Sequence, residues 1–66
     1  MIDFIIRNEG TIVMFEPVSA DAQDWVVENV RLDDWQWLGP AFGVDHRYAA
    51  ALIEAIQAAD FDMVLS

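Results

Sequence analysis

Two apolar stretches near the N-terminus are rich in β-branched and aromatic residues, a composition typical of β-strands. They read IDFIIR and TIVMFE, and the segment NEG between them ends in Gly10. Glycine adopts a positive φ without steric cost, and tight hairpin turns require such a residue. The pattern therefore predicts a β-hairpin over residues 2–16, with Pro17 closing its second strand.

The next segment carries apolar residues three and four positions apart, which is the spacing of an amphipathic helix. The residues that share one face are Ala22, Trp25, Val26 and Val30. Ser19 precedes them as an N-cap, and Asp21 falls in the first turn, where the helix dipole favours a carboxylate. The sequence thus predicts a helix over residues 20–31, with Asp33 and Asp34 marking its end.

The rest of the chain predicts three more strands and a second helix. WQWL alternates as a short strand, which would turn Trp35 and Trp37 to the same side. AFGVD follows the break at Gly39-Pro40 as another strand, and DMVLS forms the last one. Asp45 is expected to cap a helix over HRYAAALIEAIQAAD, where the many alanines favour helix formation. Its inward stripe is predicted to be Tyr48, Leu52, Ile53 and Ile56.

The element order β-β-α-β-β-α-β predicts an α+β fold, a small, mainly antiparallel sheet with two helices on one face. Residues 1–66 are expected to form a single domain, because 66 residues lie near the lower limit for an unaided apolar core. No apolar run approaches the ~20 residues of a membrane span. The N-terminus also lacks the basic segment of a signal peptide, so we expect a soluble, cytoplasmic protein.

Composition indicates how so short a chain builds a core. It is 56% hydrophobic, with three Trp, four Phe and one Tyr, and it has no cysteine for a disulfide or a thiolate zinc site. Each aromatic ring buries roughly 150–250 Å². We therefore expect core positions for most rings, including at least two of the three tryptophans. A homodimer that buries the remaining rings is the alternative to a monomer.

Charge narrows the class of partner. The chain has 12 acidic residues, three arginines and no lysine, which gives a formal net charge of −9. Direct binding to nucleic acid or to an anionic membrane requires a basic surface. We therefore expect this protein to bind neither of them directly. The charge favours encounter with a basic surface of another protein instead.

Residues suited to catalysis are scarce. His46 is the only histidine, and there is no cysteine or lysine to act as a nucleophile. Asp45 beside it would orient His46 as a general base, but a plain first-turn helix residue is the favoured interpretation. The acidic segments at 33–35 and 60–62 are too short for a calcium loop. We expect no enzyme activity, cofactor or metal.

The acidic residues form the most informative pattern. Asp21, Asp24 and Glu28 lie three and four positions apart, so they share one helix face, and Asp33 and Asp34 extend the set. Such a row is similar to the regular line of phosphates on one DNA strand. Two simpler explanations are the solvated face of an amphipathic helix and a halophilic source, where acidic surfaces are general.

Two energetic considerations favour a functional role for these acids. Like charges at i,i+4 destabilise a helix, and carboxylates near a helix C-terminus oppose its dipole by roughly 0.3–1 kcal/mol. Asp33, Asp34 and Asp60 are all predicted near helix C-termini. Local rules that are broken without a local gain tend to mark functional sites.

Several positions also resemble a family of small proteins found on phages and plasmids. The matching residues are Phe15, Pro17, Trp25, Glu28, Asn29, Arg47 and Tyr48. In size and acidity the chain is similar to phage-encoded anti-CRISPR proteins, including small inhibitors of type I-C systems. That resemblance implies inhibition by occupying the positively charged DNA channel, or the site that reads the protospacer-adjacent motif, without catalysis or cofactor.

The sequence therefore predicts a non-enzymatic inhibitor that acts as a DNA mimic on a basic nucleic-acid-binding protein, for example a subunit of a Cascade-type surveillance complex. The expected partner-binding residues are Asp21, Asp24, Glu28, Asp33 and Asp34. The alternative is a small accessory protein-interaction module of a mobile element, as a monomer or a homodimer, whose acidity serves solubility. A small enzyme with a pocket near His46 is the third reading.

Overall fold

The apolar pattern of the chain resolves into a five-stranded sheet with two α-helices on one face, as seen in a computed structural model that describes all 66 residues. The predicted α+β class is confirmed, with one 3₁₀ turn added to the predicted element order. The elements are β1 (Phe4–Asn8), β2 (Ile12–Pro17), α1 (Ala20–Asn29), the 3₁₀ turn (Asp34–Gln36), β3 (Trp37–Leu38), β4 (Ala41–Asp45), α2 (His46–Ala58) and β5 (Met63–Leu65).

The predicted hairpin is present. β1 and β2 pair antiparallel, with Phe4 opposite Pro17 and Asn8 opposite Val13. Gly10 has a φ of +87°, and its N–H donates to Asn8 Oδ1 at 2.9 Å. The turn therefore contains the positive-φ glycine that the sequence predicts.

The sheet has the strand order β3-β4-β2-β1-β5. Three of its four strand pairs are antiparallel, and only β1 and β5 run parallel. β5 is joined to β1 by hydrogen bonds that include Ser66 N–H to the Ile6 carbonyl at 2.8 Å. The sheet is thus mixed but mainly antiparallel, as predicted.

Helix α1 begins where the sequence predicts and ends earlier. Ser19 Oγ accepts the Ala22 N–H at 3.0 Å, which is an N-cap. At the other end Asn29 Nδ2 donates to the Trp25 carbonyl at 2.9 Å and satisfies a terminal acceptor. Val30 is already extended. The prediction that α1 continues to residue 31 and is ended by the paired aspartates is therefore wrong.

Helix α2 is capped by Asp45, whose Oδ1 accepts the Arg47 N–H at 2.9 Å. The predicted inward stripe is wrong at Tyr48, which is 64% exposed, while Ala49 is buried. Successive helical residues are about 100° apart, so the stripe that contains Ile56 includes Ala49 and turns Tyr48 away. The Arg47 guanidinium lies 5.9 Å from the Tyr48 ring centroid.

The C-terminus of α2 is closed by a Schellman motif. Phe61 N–H donates to the Ile56 carbonyl at 3.3 Å, and Asp60 N–H donates to the Gln57 carbonyl at 3.0 Å. This pair of bonds requires a left-handed residue between helix and exit. Asp60 takes that conformation, with a φ of +64°.

The core lies between the sheet and both helices. Its strand residues are Phe4, Ile6, Val13, Phe15 and Phe42. Its helix residues are Ala22, Val26, Ala49 and Ile56. Aromatic contacts join the layers, because Trp25 packs edge-on against Phe4 and Phe61 at centroid distances of 6.3 and 5.9 Å. Both helices therefore cover the same sheet face. Neither is long and apolar enough to cross a membrane.

Candidate partner-binding surfaces

The acidic stripe, which we define as Asp21, Asp24 and Glu28, lies on the solvent side of α1. All three side chains are exposed. Ala22 and Val26 fix the rotation of the helix because they are buried in the core. The stripe therefore faces away from the sheet, and its geometry agrees with the predicted helix face.

No cation neutralises the acidic stripe. The ion pairs of the structure join the N-terminal amino group to Asp62 at 3.7 Å, Arg7 to Glu9 at 2.6 Å and Arg47 to Asp45 at 3.1 Å. Arg31 forms no ion pair, and α1 itself contains no basic residue. The three carboxylates thus leave a continuous negative surface in solvent.

The other two predicted partner-binding residues have a different setting. Asp33 and Asp34 begin the 3₁₀ turn, where Asp33 N–H donates to Gln36 Oε1 at 2.9 Å and Gln36 N–H donates to the Asp33 carbonyl at 3.0 Å. Both side chains are exposed. A carboxylate at the start of a helical turn is favourable. The expectation that these two acids oppose a helix C-terminus is therefore wrong, and Asp60 alone does so.

The 3₁₀ turn also separates the two neighbouring tryptophans. Trp35 lies within the turn and is 76% exposed, whereas Trp37 in β3 packs edge-on against Phe42 at a centroid distance of 5.2 Å. A 3₁₀ turn has three residues per turn in place of the strand period of two. The prediction that both rings face the same side is therefore wrong. The Asp33-to-Gln36 spacing, similar to that of a capping box, was the available signal.

His46 is exposed in the first turn of α2, and its backbone N–H donates to the Thr11 carbonyl at 2.8 Å. The neighbouring Asp45 carboxylate accepts from Arg47 Nε at 3.1 Å. These bonds from Arg47 lower the pKa of Asp45 and raise the pKa of Arg47. Asp45 thus orients Arg47, and none of the four surface depressions is lined by His46.

The sheet face opposite the helices is uncovered and largely apolar, a feature that the sequence reasoning missed. We call it the open sheet face. Its apolar residues are Ile5, Ile12, Met14, Leu38, Ala41 and Val64. Leu38, Ile12 and Val64 are exposed, whereas Met14 is buried among its neighbours at 8% exposure. Arg7 and Glu16 lie on the same face. The available signal was β2, which has apolar residues at four consecutive positions from 12 to 15, a pattern of strands buried on both faces.

Three of the four surface depressions open onto this face, and Met14 lines all three. The largest of them has a volume of about 440 Å³. Gly43 has no side chain to fill the middle of the face, where an added Cβ would meet Ile12 Cγ2 at 3.0 Å and Met14 Sδ at 3.3 Å. The face is therefore a shallow apolar surface and not an enclosed pocket.

No group of three or more His, Cys, Asp and Glu side chains is arranged to hold a metal ion. Two surfaces are candidates for partner binding, the acidic stripe and the open sheet face, and they lie on opposite sides of the sheet. In comparisons with protein-family models, with curated proteins and with solved structures, the chain has no match.

Proposed function

We propose that this protein is a non-enzymatic inhibitor whose acidic stripe occupies a basic, DNA-binding surface of another protein. The observation that carries the proposal is the set of three exposed carboxylates along α1 without a cation among them. A partner that binds DNA phosphates has arginines and lysines available for such a surface.

The spacing of the stripe is compatible with mimicry of a phosphate strand. Asp21 and Glu28 are seven residues apart, which on a helix with a rise of 1.5 Å per residue is roughly 10 Å. One DNA strand carries a phosphate every 3.4 Å along its axis, so three phosphate steps also span roughly 10 Å. The stripe thus offers three charges over a length in which one DNA strand has four phosphates. Asp33 and Asp34 add two more negative charges beyond the end of α1.

The resemblance to anti-CRISPR proteins suggests the kind of partner. A Cascade-type complex of a type I-C system holds DNA in a positively charged channel, and occupation of that channel prevents target binding. On this proposal inhibition is steric and electrostatic, with no cofactor and no chemical step. Association is steered by charge, so its rate and affinity fall steeply as salt rises.

The test is a binding assay between the tagged protein and a purified type I-C surveillance complex, with duplex DNA as competitor. The stripe variant carries Asp21→Asn, Asp24→Asn and Glu28→Gln. The matched control carries Glu9→Gln, Glu54→Gln and Asp60→Asn, which changes the net charge equally. We expect the stripe variant alone to lose binding and to restore DNA binding by the complex. Equal losses in both variants would mean that net charge, and not the stripe, attracts the partner.

A second candidate function is favoured by the open sheet face. An accessory protein-interaction module would bind through apolar area, and its affinity would change little with salt. In the same assay, Leu38→Glu would then abolish partner binding while the stripe variant retained it. A partner displaced by neither DNA nor salt would support this candidate over the mimic.

A further inference from the structure

We propose that the open sheet face is a self-association surface, on which a second copy of this chain packs sheet against sheet. The proposal does not depend on the DNA-mimic function, since the acidic stripe lies on the other side of the sheet, and it competes with the second candidate function for the open sheet face. The occupant is a second copy because the width of the face suits another sheet and because the face carries one charge of each sign, which can pair with those of a second copy.

The face has the composition of an interior surface. In the register of the sheet, Leu38, Ala41, Glu16, Ile5 and Val64 form one row across all five strands. Four of these five side chains are apolar, and Leu38 is 67% exposed. Antiparallel sheets that face water on one side normally carry polar residues there. The largest apolar patch of a monomeric protein typically measures about 300–600 Å² and is often a functional surface.

The dimensions of the face favour another sheet as its cover. The five strands, of which β3 and β5 have only two and three residues, present roughly 330 Å² in projection at about 3.3 Å per residue and 4.8 Å between strands. One helix is about 10 Å wide and would leave about half of the width of the five-stranded sheet uncovered. Two such faces stacked about 10 Å apart cover roughly 660 Å² in projection, the size of a weak interface below the ~1,000 Å² of most stable ones. The expected dimer is therefore weak.

The charges on the face are self-complementary. Ile5 pairs with Glu16 and Arg7 pairs with Met14, so Arg7 and Glu16 are diagonal neighbours on adjacent strands. Glu16 forms no ion pair within the chain. A two-fold axis that passes midway between Arg7 and Glu16 would place Arg7 of one copy opposite Glu16 of the other in both halves of the interface. Arg7, which pairs with Glu9 within its own chain, would then face Glu16 of the other copy as well.

Long-range repulsion does not prevent this arrangement. In the stacked dimer both helix layers, with their acidic stripes, lie on the outside and are separated by three layer spacings of about 10 Å each. The Debye length is about 8 Å at 0.15 M ionic strength. Any other stacking, with a helix layer at the interface, would bring the acidic stripe of at least one copy towards its neighbour.

The first experiment is sedimentation equilibrium of the full chain between about 1 μM and 1 mM at 0.15 M salt. We expect a monomer–dimer equilibrium that Leu38→Glu weakens by roughly 30-fold, the size of an interface hot spot. The matched control is Val27→Glu on α1, which adds the same charge at a side chain that is 79% exposed and leaves the dimer intact. A chain that is monomeric at about 1 mM, or a dimer sensitive to Val27→Glu alone, overturns the proposal.

The second experiment exchanges the charges of the interface. Arg7→Glu and Glu16→Arg each place like charges opposite one another, so each variant alone is expected to dissociate. Mixed in equal amounts, the two variants restore both ion pairs and form a heterodimer. Circular dichroism of each variant establishes that it remains folded. Folded variants that fail to form the heterodimer would rule out the two-fold arrangement.

Discussion

Asp60 is the residue whose local conformation most opposes its chemistry. It has a φ of +64° at the end of α2, and its carboxylate forms neither a hydrogen bond nor an ion pair. The Schellman motif around it is favourable, but a glycine normally occupies this position. Replacement by glycine is therefore expected to stabilise the protein.

The magnitude follows from three opposing contributions. A left-handed conformation costs an L-residue roughly 1–2 kcal/mol, and aspartate lies at the lower end because it tolerates this region. A carboxylate at a helix C-terminus costs roughly 0.3–1 kcal/mol. Glycine also makes the unfolded chain more flexible, which stabilises the unfolded state and offsets roughly 0.4–1 kcal/mol of this gain. The Asp60→Gly variant should thus be about 1 kcal/mol more stable, which raises Tm by roughly 4–8 °C in a domain of this size.

Asp60→Asn separates the two causes, because it removes the charge and retains the shape. Its gain should be smaller than that of Asp60→Gly at low salt and should fade in ~1 M salt, where the Debye length is about 3 Å. The part of the Asp60→Gly gain that comes from backbone strain should persist. Thermal unfolding followed by circular dichroism measures both. If Asp60→Gly were no more stable than the parent at either salt concentration, the account of strain at this position would be refuted.

Four further predictions concern stability and exposure. Ser19→Ala removes the cap on the Ala22 N–H and should cost about 1 kcal/mol in urea unfolding. The pKa of Asp3 lies below its ordinary value of 3.8, chiefly because Asp62 N–H donates to its carboxylate at 2.9 Å. The stability advantage over Asp3→Asn should therefore be complete above about pH 5 and vanish as pH falls through the lowered pKa, measured as the difference in urea midpoints. Tm should rise as salt increases from 0.01 to 0.15 M, because screening shortens the Debye length from about 30 to about 8 Å and weakens repulsion at a net charge of −9. Acrylamide quenching of tryptophan fluorescence should fall most in Trp35→Phe, since Trp35 is the most exposed of the three rings; an equal effect at Trp25 would contradict this placement.

The features that the sequence predicted correctly depend on short-range interactions. The hairpin turn at Gly10 and the caps at Ser19 and Asp45 each involve residues within three positions of one another. The order of helices and strands follows from the spacing of apolar residues, which recur every three or four positions in helices and every two in strands. By contrast, the place of Tyr48 on α2 depends on how the helix rotates against the sheet, and the exposure of Trp35 depends on a 3₁₀ turn that apolar alternation does not distinguish from a strand.

The candidate surfaces divide in the same way. The acidic stripe could be predicted because Asp21, Asp24 and Glu28 are related by helical spacing alone. The role of Asp33 could not be predicted, because the sequence does not show whether this residue ends α1 or begins the 3₁₀ turn. The open sheet face depends on both helices packing on one side, and therefore on Ile12 and Met14 being left on the other. That arrangement is a property of the tertiary structure.

The parallel pairing of β1 with β5 has a consequence for how the protein folds. Asp3 and Asp62, hydrogen-bonded at the start of these strands, are 59 positions apart, so the largest chain loop of the domain must close before the sheet is complete. Contacts of such high contact order slow folding, since closing the loop costs entropy before the contacts form. During synthesis β2 follows β1 directly, whereas the other edge of β1, next to Phe4 and Ile6, stays unpaired until β5 emerges. An unpaired strand edge favours aggregation, and the many acidic residues should keep neighbouring nascent chains apart until β5 covers that edge.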